Sequence, residues 1–180
     1  MTRYAGRRAV VVGQATGIGL AIAKRLVEGG AEVLLIARTV QERDHAGVEL
    51  GSAARVVAPD AVEAALGPAG GIDLVFADAV PTVRPMLPHL VDHGAVVLTA
   101  PAPTPASVRA LAAELIARGI RVNAVAPSCI EAPAGGAAPL PPLGRLGSAE
   151  EVARAALFLA TDATFTTGAR LPVDGGLGPP

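Results

Sequence analysis

The stretch "VVVGQATGIGLAIAKRLVEGG" (10–30) sets Gly13, Gly17 and Gly19 between a short apolar run and a segment of helical period. That arrangement suits anion binding. Gly13 permits a tight turn, Gly17 permits backbone amides to approach a phosphate, and Gly19 permits the helix to pack closely on the sheet. The first turn of the helix then offers unpaired N–H groups and the positive end of its dipole to a pyrophosphate. Gly13, Gln14, Thr16, Gly17, Ile18 and Gly19 are therefore the candidate cofactor-binding turn, the alternative being a turn that is merely structural.

Other groups could do chemistry. His89 and His93 stand four apart with Asp92 between them, which is metal-ligand spacing if the segment is helical. They precede the fifth apolar run, so they are expected at the sheet edge opposite the ligand crevice, as solvated histidines and not metal ligands. Cys129 follows the sixth apolar run with no histidine placed to activate it, which reads as an inert thiol. Asp78 lies just past the fourth run and could serve as acid or base if partly buried, or as a turn residue capping local amides.

The elements that must position these groups alternate. Strand candidates are 9–12, 32–37, 54–58, 72–77, 95–99, 121–126 and 169–173; helix candidates are 17–28, 40–50, 60–66, 105–118 and 149–160. Thr39 with Glu42, Asp60 with Glu63 and Ser148 with Glu151 have capping-box spacing, and Thr104 before Pro105 marks a further helix start. Such alternation predicts a single α/β domain over 1–180, a Rossmann-type doubly wound parallel sheet of about seven strands. Three prolines in "ADAVPTVRPMLPHLVDHG" (77–94) limit the fourth helix to a turn or two near 85–92. "PAGGAAPLPPLG" (133–144) reads as a loop with polyproline character.

Composition narrows the function classes. Of 180 residues, 51% are hydrophobic and 17% charged, with a net charge of -1, so no field gathers polyanions and nucleic acid is not an expected partner. The apolar run after Arg7 and Arg8 is interrupted at Gly13, too early for a signal peptide or a membrane span. With a lone cysteine, the expectation is a cytoplasmic protein.

The glycine spacing G-x-x-x-G-x-G, "GIRVNAVAP" (119–127) and "PLGRLGSAEEVARAALFLATDATFTTGARLPVDGG" (142–176) together resemble the short-chain dehydrogenase/reductase family across both ends and much of the middle. The resemblance implies a nicotinamide dinucleotide as ligand. Ala37 stands where NAD-preferring relatives carry an acid, with Arg38 beside it, which favours the 2′-phosphate of NADP over NAD; a solvated arginine is the alternative. Asp60 matches the adenine-contacting aspartate of the family, unless it serves only as a helix cap. The family's proton relay is a tyrosine with a lysine four residues on, and the cation is needed because a phenol alone has a pKa near 10. This chain holds one tyrosine, Tyr4, and one lysine, Lys24, so no Tyr-x-x-x-Lys exists in it. The family serine falls on Thr99 or Ala100, its Asn-Asn-Ala-Gly becomes "FADAV", and the segment that cradles the nicotinamide becomes "PSCIEA".

The fourth helix, the link into the fifth helix and the substrate lid are all shorter than the resemblance leads one to expect. The adenine half of a cofactor site is thus retained and the nicotinamide half dismantled. The expectation is a non-catalytic member binding NADP(H) weakly, with no catalytic residue assigned. It would pair with itself or a relative through its C-terminal helix and strand. The alternative is a divergent enzyme working through Asp78, Thr99 or the cofactor itself.

Overall fold

The computed structural model describes residues 3–13, 15, 17–67, 71–99, 103–131 and 140–178. Seven strands, β1 (Arg8–Val12), β2 (Glu32–Ile36), β3 (Ala54–Val57), β4 (Ile72–Ala77), β5 (Leu90–Leu98), β6 (Arg121–Pro127) and β7 (Arg170–Val173), form one sheet in the order β3-β2-β1-β4-β5-β6-β7. Every pairing is parallel. Parallel strands need crossovers, and six α-helices among the described residues supply or extend them: α1 (Gly17–Glu28), α2 (Val40–Leu50), α3 (Val62–Leu66), α4 (Val80–Val83), α5 (Pro105–Leu115) and α6 (Ala149–Thr161).

Both faces of the sheet are covered, which explains the near-continuous apolar strands. Side chains alternate between faces along each strand. Val11, Phe76 and Val97 pack with Ile22 and Leu26 of α1 and with Val152 and Ala156 of α6. Val10, Val75 and Val96 pack on the other side with Leu66, Val83, Met86, Val108 and Leu111. The expected caps form on α2, α5 and α6: Thr39, Thr104 and Ser148 each accept a backbone N–H, and Glu42 and Glu151 complete capping boxes.

Three expectations are corrected. Residues 60–66 do not make one helix capped by Asp60. A 3₁₀ turn spans Pro59–Ala61, the chain enters α3 from Ala61 without a side-chain cap, and Asp60 is exposed within that turn. The helix near 85–92 is α4 followed by a 3₁₀ segment, Arg84–His89, because Pro85 and Pro88 cannot donate the backbone bonds of an α-helix. β5 then starts at Leu90, five residues early. Between the pairs Ile72–Leu90 and Leu74–Ala95 it advances five residues while β4 advances two, so it bulges. His93 sits in that bulge at φ 64°, its ring over Gly119, where a Cβ would lie 2.4 Å from Nδ1. His89 and His93 therefore share no helical face.

Candidate functional site

In the sheet order, β2 and β4 flank β1, and the chain's direction of growth reverses at β1 and β4. Ligands of doubly wound sheets bind outside the carboxyl ends of the strands at that point. The carboxyl ends deliver Gly13 after β1, Ala37 and Arg38 after β2, Asp60 after β3, Asp78 after β4, Thr99 after β5 and Ser128 after β6.

Gly13 is buried at φ 121°, a backbone conformation that side chains disfavour, and a Cβ there would lie 2.9 Å from Asp78 Cγ. Gly17, at φ 52°, opens α1 and has nothing within 4 Å of the place a Cβ would take. Ile18 is half-buried and Gly19 buried in the first turn of α1. Gln14 and Thr16 lie outside the described residues. The turn therefore presents open space at Gly17 and a crowded contact at Gly13.

That contact is made by the Asp78 carboxylate. Oδ1 accepts the Thr82 hydroxyl at 2.7 Å and Oδ2 accepts a guanidinium N–H of Arg38. The Asp78 side chain is only 14% exposed, against 48% for Arg38. Arg38 is held at its base by the α2 capping box, since its backbone N–H donates to Glu42 Oε2 at 2.8 Å. Asp78 does not cap local amides as a turn residue would; the Ala79 N–H donates to Thr82 Oγ1 instead, at 3.2 Å. Neither the Arg38–Asp78 pair nor the role of Thr82 is marked by local spacing in the sequence. The available signal was a cation past strand two and a carboxylate past strand four, which only the strand order brings across strand one.

The remaining candidates are less engaged with the crevice. Asp60 stands one strand farther out, past β3. Thr99 is buried with its hydroxyl turned back onto the Ala77 carbonyl at 3.3 Å. Ser128 is exposed, and its backbone N–H ties β6 to Val173 at 3.1 Å. Cys129 adopts φ 51° and its carbonyl accepts the Gly147 N–H. His89 faces Glu63 at 3.7 Å at the opposite edge, and among the described residues no cluster of His, Cys, Asp and Glu could hold a metal.

A cavity of about 740 Å³ also opens at that opposite edge, lined in part by Tyr4, Arg7, Asp73, His93 and Arg121. Its charges serve the fold. Arg7 pairs with Asp73 at 2.9 Å, and Arg121, whose pKa burial lowers, donates to the carbonyls of Leu159, Ala160 and Ala163 at the end of α6. Tyr4 closes the end of α1, its ring filling the space left by Gly29. Lys24 lies outside on α1, paired with Glu49 at 2.5 Å. No helix among the described residues is long and apolar enough to cross a membrane.

Residues 7–79 match the family model described as short chain dehydrogenase, and residues 89–178 the model described as enoyl-(acyl carrier protein) reductase. An L-xylulose reductase from Bos taurus is 31% identical over 237 aligned positions that span 97% of each chain. That length exceeds the 180 residues present, so the surplus positions of the relative have no counterpart here. A 3-oxoacyl-(acyl-carrier-protein) reductase of Pseudomonas aeruginosa is 47% identical over 79 residues, 38% of this chain and 32% of its own. Among solved structures, a short-chain dehydrogenase/reductase family protein superposes with a TM-score of 0.80 at 28% identity, over 97% of this chain and 98% of its own.

Proposed function

The chain belongs to the short-chain dehydrogenase/reductase family, and from that premise we propose that it binds a nicotinamide dinucleotide, preferring NADP(H), without the family's proton relay for hydride transfer. The observation that carries this reading is where the chain's single tyrosine and single lysine stand. Tyr4 packs on Gly29 at the edge opposite the crevice, and Lys24 pairs with Glu49 on the outer side of α1. A phenol can act as an acid near neutral pH only with a cation beside it, and these two groups serve other ends.

The residues at the crevice suit the adenosine and phosphate half of the ligand. Gly17 leaves open space at the start of a twelve-residue helix, whose first N–H groups favour a phosphate. Arg38, with Ala37 before it in place of an acidic residue, offers a guanidinium, paired with Asp78, where a 2′-phosphate would be recognised. A nicotinamide dinucleotide held there would supply hydride-transfer chemistry. The Thr99 hydroxyl and the Asp78 carboxylate, the two groups that could assist such chemistry, are both already committed to other partners.

A second reading, a working oxidoreductase that uses those two groups, draws support from the reductase and dehydrogenase names of its relatives, among them a galactitol 2-dehydrogenase of Cereibacter sphaeroides at 31% identity. Calorimetric titration separates the possibilities. NADPH is expected to bind weakly and NADH more weakly still. Arg38→Ala should cost NADPH roughly tenfold, the size of one charge-assisted contact. Tyr4→Phe and Lys24→Ala should leave affinity unchanged. Absence of binding by either nucleotide refutes the reading, and NADPH turnover against a panel of carbonyl compounds would favour the second.

A further inference from the structure

The geometry points to Asp78 as the residue that sets dinucleotide affinity and NADP preference, acting as an internal anion that holds Arg38 across the mouth of the glycine turn. This rests on the reading of the crevice as a dinucleotide site.

Three neighbouring strands create the arrangement. Arg38 leaves the end of β2, Gly13 the end of β1 and Asp78 the end of β4, and the ion pair spans from the first to the third. Gly13 makes this possible, because any Cβ there would sit 2.9 Å from Asp78 Cγ and 3.0 Å from Oδ2. The carboxylate is thus seated on the first residue of the phosphate-binding turn. Its two oxygens are each used, one by Thr82 and one by Arg38, and Glu42 fixes the backbone from which Arg38 reaches.

The partners differ in freedom. Asp78 is largely enclosed, whereas Arg38 is about half exposed on a long side chain. An exposed arginine can leave an ion pair at modest cost. Two consequences follow for an incoming nucleotide. A 5′-phosphate approaching the turn meets the like charge of Asp78 whether or not a 2′-phosphate is present. A 2′-phosphate must in addition draw Arg38 away from Asp78, so part of the preference for NADP is spent on opening the pair.

Two fragments without nicotinamide test this free of any turnover: adenosine 2′,5′-bisphosphate, and 5′-AMP, which lacks the 2′-phosphate. Both are titrated calorimetrically into the wild type, Asp78→Asn, Arg38→Ala and the double variant. Asparagine keeps an oxygen for Thr82 and removes the charge, with Asp78→Ala as a second variant should asparagine fail to fold. Asp78→Asn is expected to tighten the bisphosphate roughly three- to tenfold and 5′-AMP by less. The difference between the two gains should vanish in the Arg38→Ala background, as a double-mutant cycle requires of a coupled pair. Equal bisphosphate affinity in wild type and Asp78→Asn overturns the inference while leaving dinucleotide binding intact. So do equal gains for both fragments that persist without Arg38. If neither protein binds the fragments or the dinucleotides, both the inference and the reading beneath it fail.

Discussion

Alanine substitutions at Gly13 and Gly17 separate stability from ligand approach, because both glycines have positive φ but only one is crowded. At Gly13, φ is 121° and the new Cβ would meet Asp78 Cγ at 2.9 Å and Oδ2 at 3.0 Å. Backbone strain of this kind costs about 1–3 kcal/mol, and forcing an extra methyl into a packed contact costs a further ~1–3 kcal/mol. Asp78 cannot yield without loosening its bonds to Thr82 and Arg38, so the upper half of the combined range, about 4–6 kcal/mol, is expected. For a chain of this length that lowers the melting temperature by roughly 8–24 °C. Gly17 sits at φ 52° with open space around it, so alanine there costs only the left-handed backbone term, about 1–2 kcal/mol. On the proposed reading, its methyl would enter the open space that a phosphate takes. Circular-dichroism melts and urea midpoints should therefore rank wild type, then Gly17→Ala, then Gly13→Ala, while NADPH binding should fall in both. A Gly13→Ala protein that melts with the wild type would refute the packing argument, and a Gly17→Ala protein that binds NADPH normally would refute the placement of the phosphate.

Two further predictions concern the frame around the crevice. Arg145 donates to both oxygens of Glu151 at 2.6 and 2.9 Å and the Ser148 backbone N–H donates at 3.0 Å, together holding the Glu151 carboxyl down at about 2 from its ordinary 4.5. A folded-state pKa below the unfolded one means stability present above about 4.5 and lost as pH falls through about 2. Urea melts at pH 6 and pH 3 should show the wild type losing more stability than Glu151→Gln over that interval, and parallel losses would count against the pair. Asn123 is fully buried, its Nδ2 donating to Thr166 O at 2.8 Å and its Oδ1 accepting the Ala169 N–H at 3.0 Å. Asn123→Leu strands both backbone groups and should cost about 2–5 kcal/mol, whereas a melting temperature within a degree or two of wild type would show that water replaces the amide.

Much of the framework can be read from residue order because its causes are local. Helix starts at Thr39, Thr104 and Ser148 follow from one side chain meeting one backbone N–H three residues on, and each forms as the spacing requires. The buried strands announce themselves as apolar runs too short for helices. Asp60 shows the limit of the same rule. Its spacing to Glu63 is correct, but Pro59 starts a 3₁₀ turn that carries Asp60 past the capping position. The early start of β5 was equally hidden, since "LVDH" joins the sheet only through pairing with β4 and the room that Gly119 leaves for His93.

Residue type and near spacing alone carry the class of fold, the glycine-rich turn between the first strand and the first helix, and the absence of any Tyr-x-x-x-Lys. The tertiary structure alone decided what faces that turn. Arg38 and Asp78 are forty residues apart in the chain and meet because the sheet seats β2 and β4 on either side of β1. Strand order is set by long-range packing and crossover direction, which no local spacing encodes.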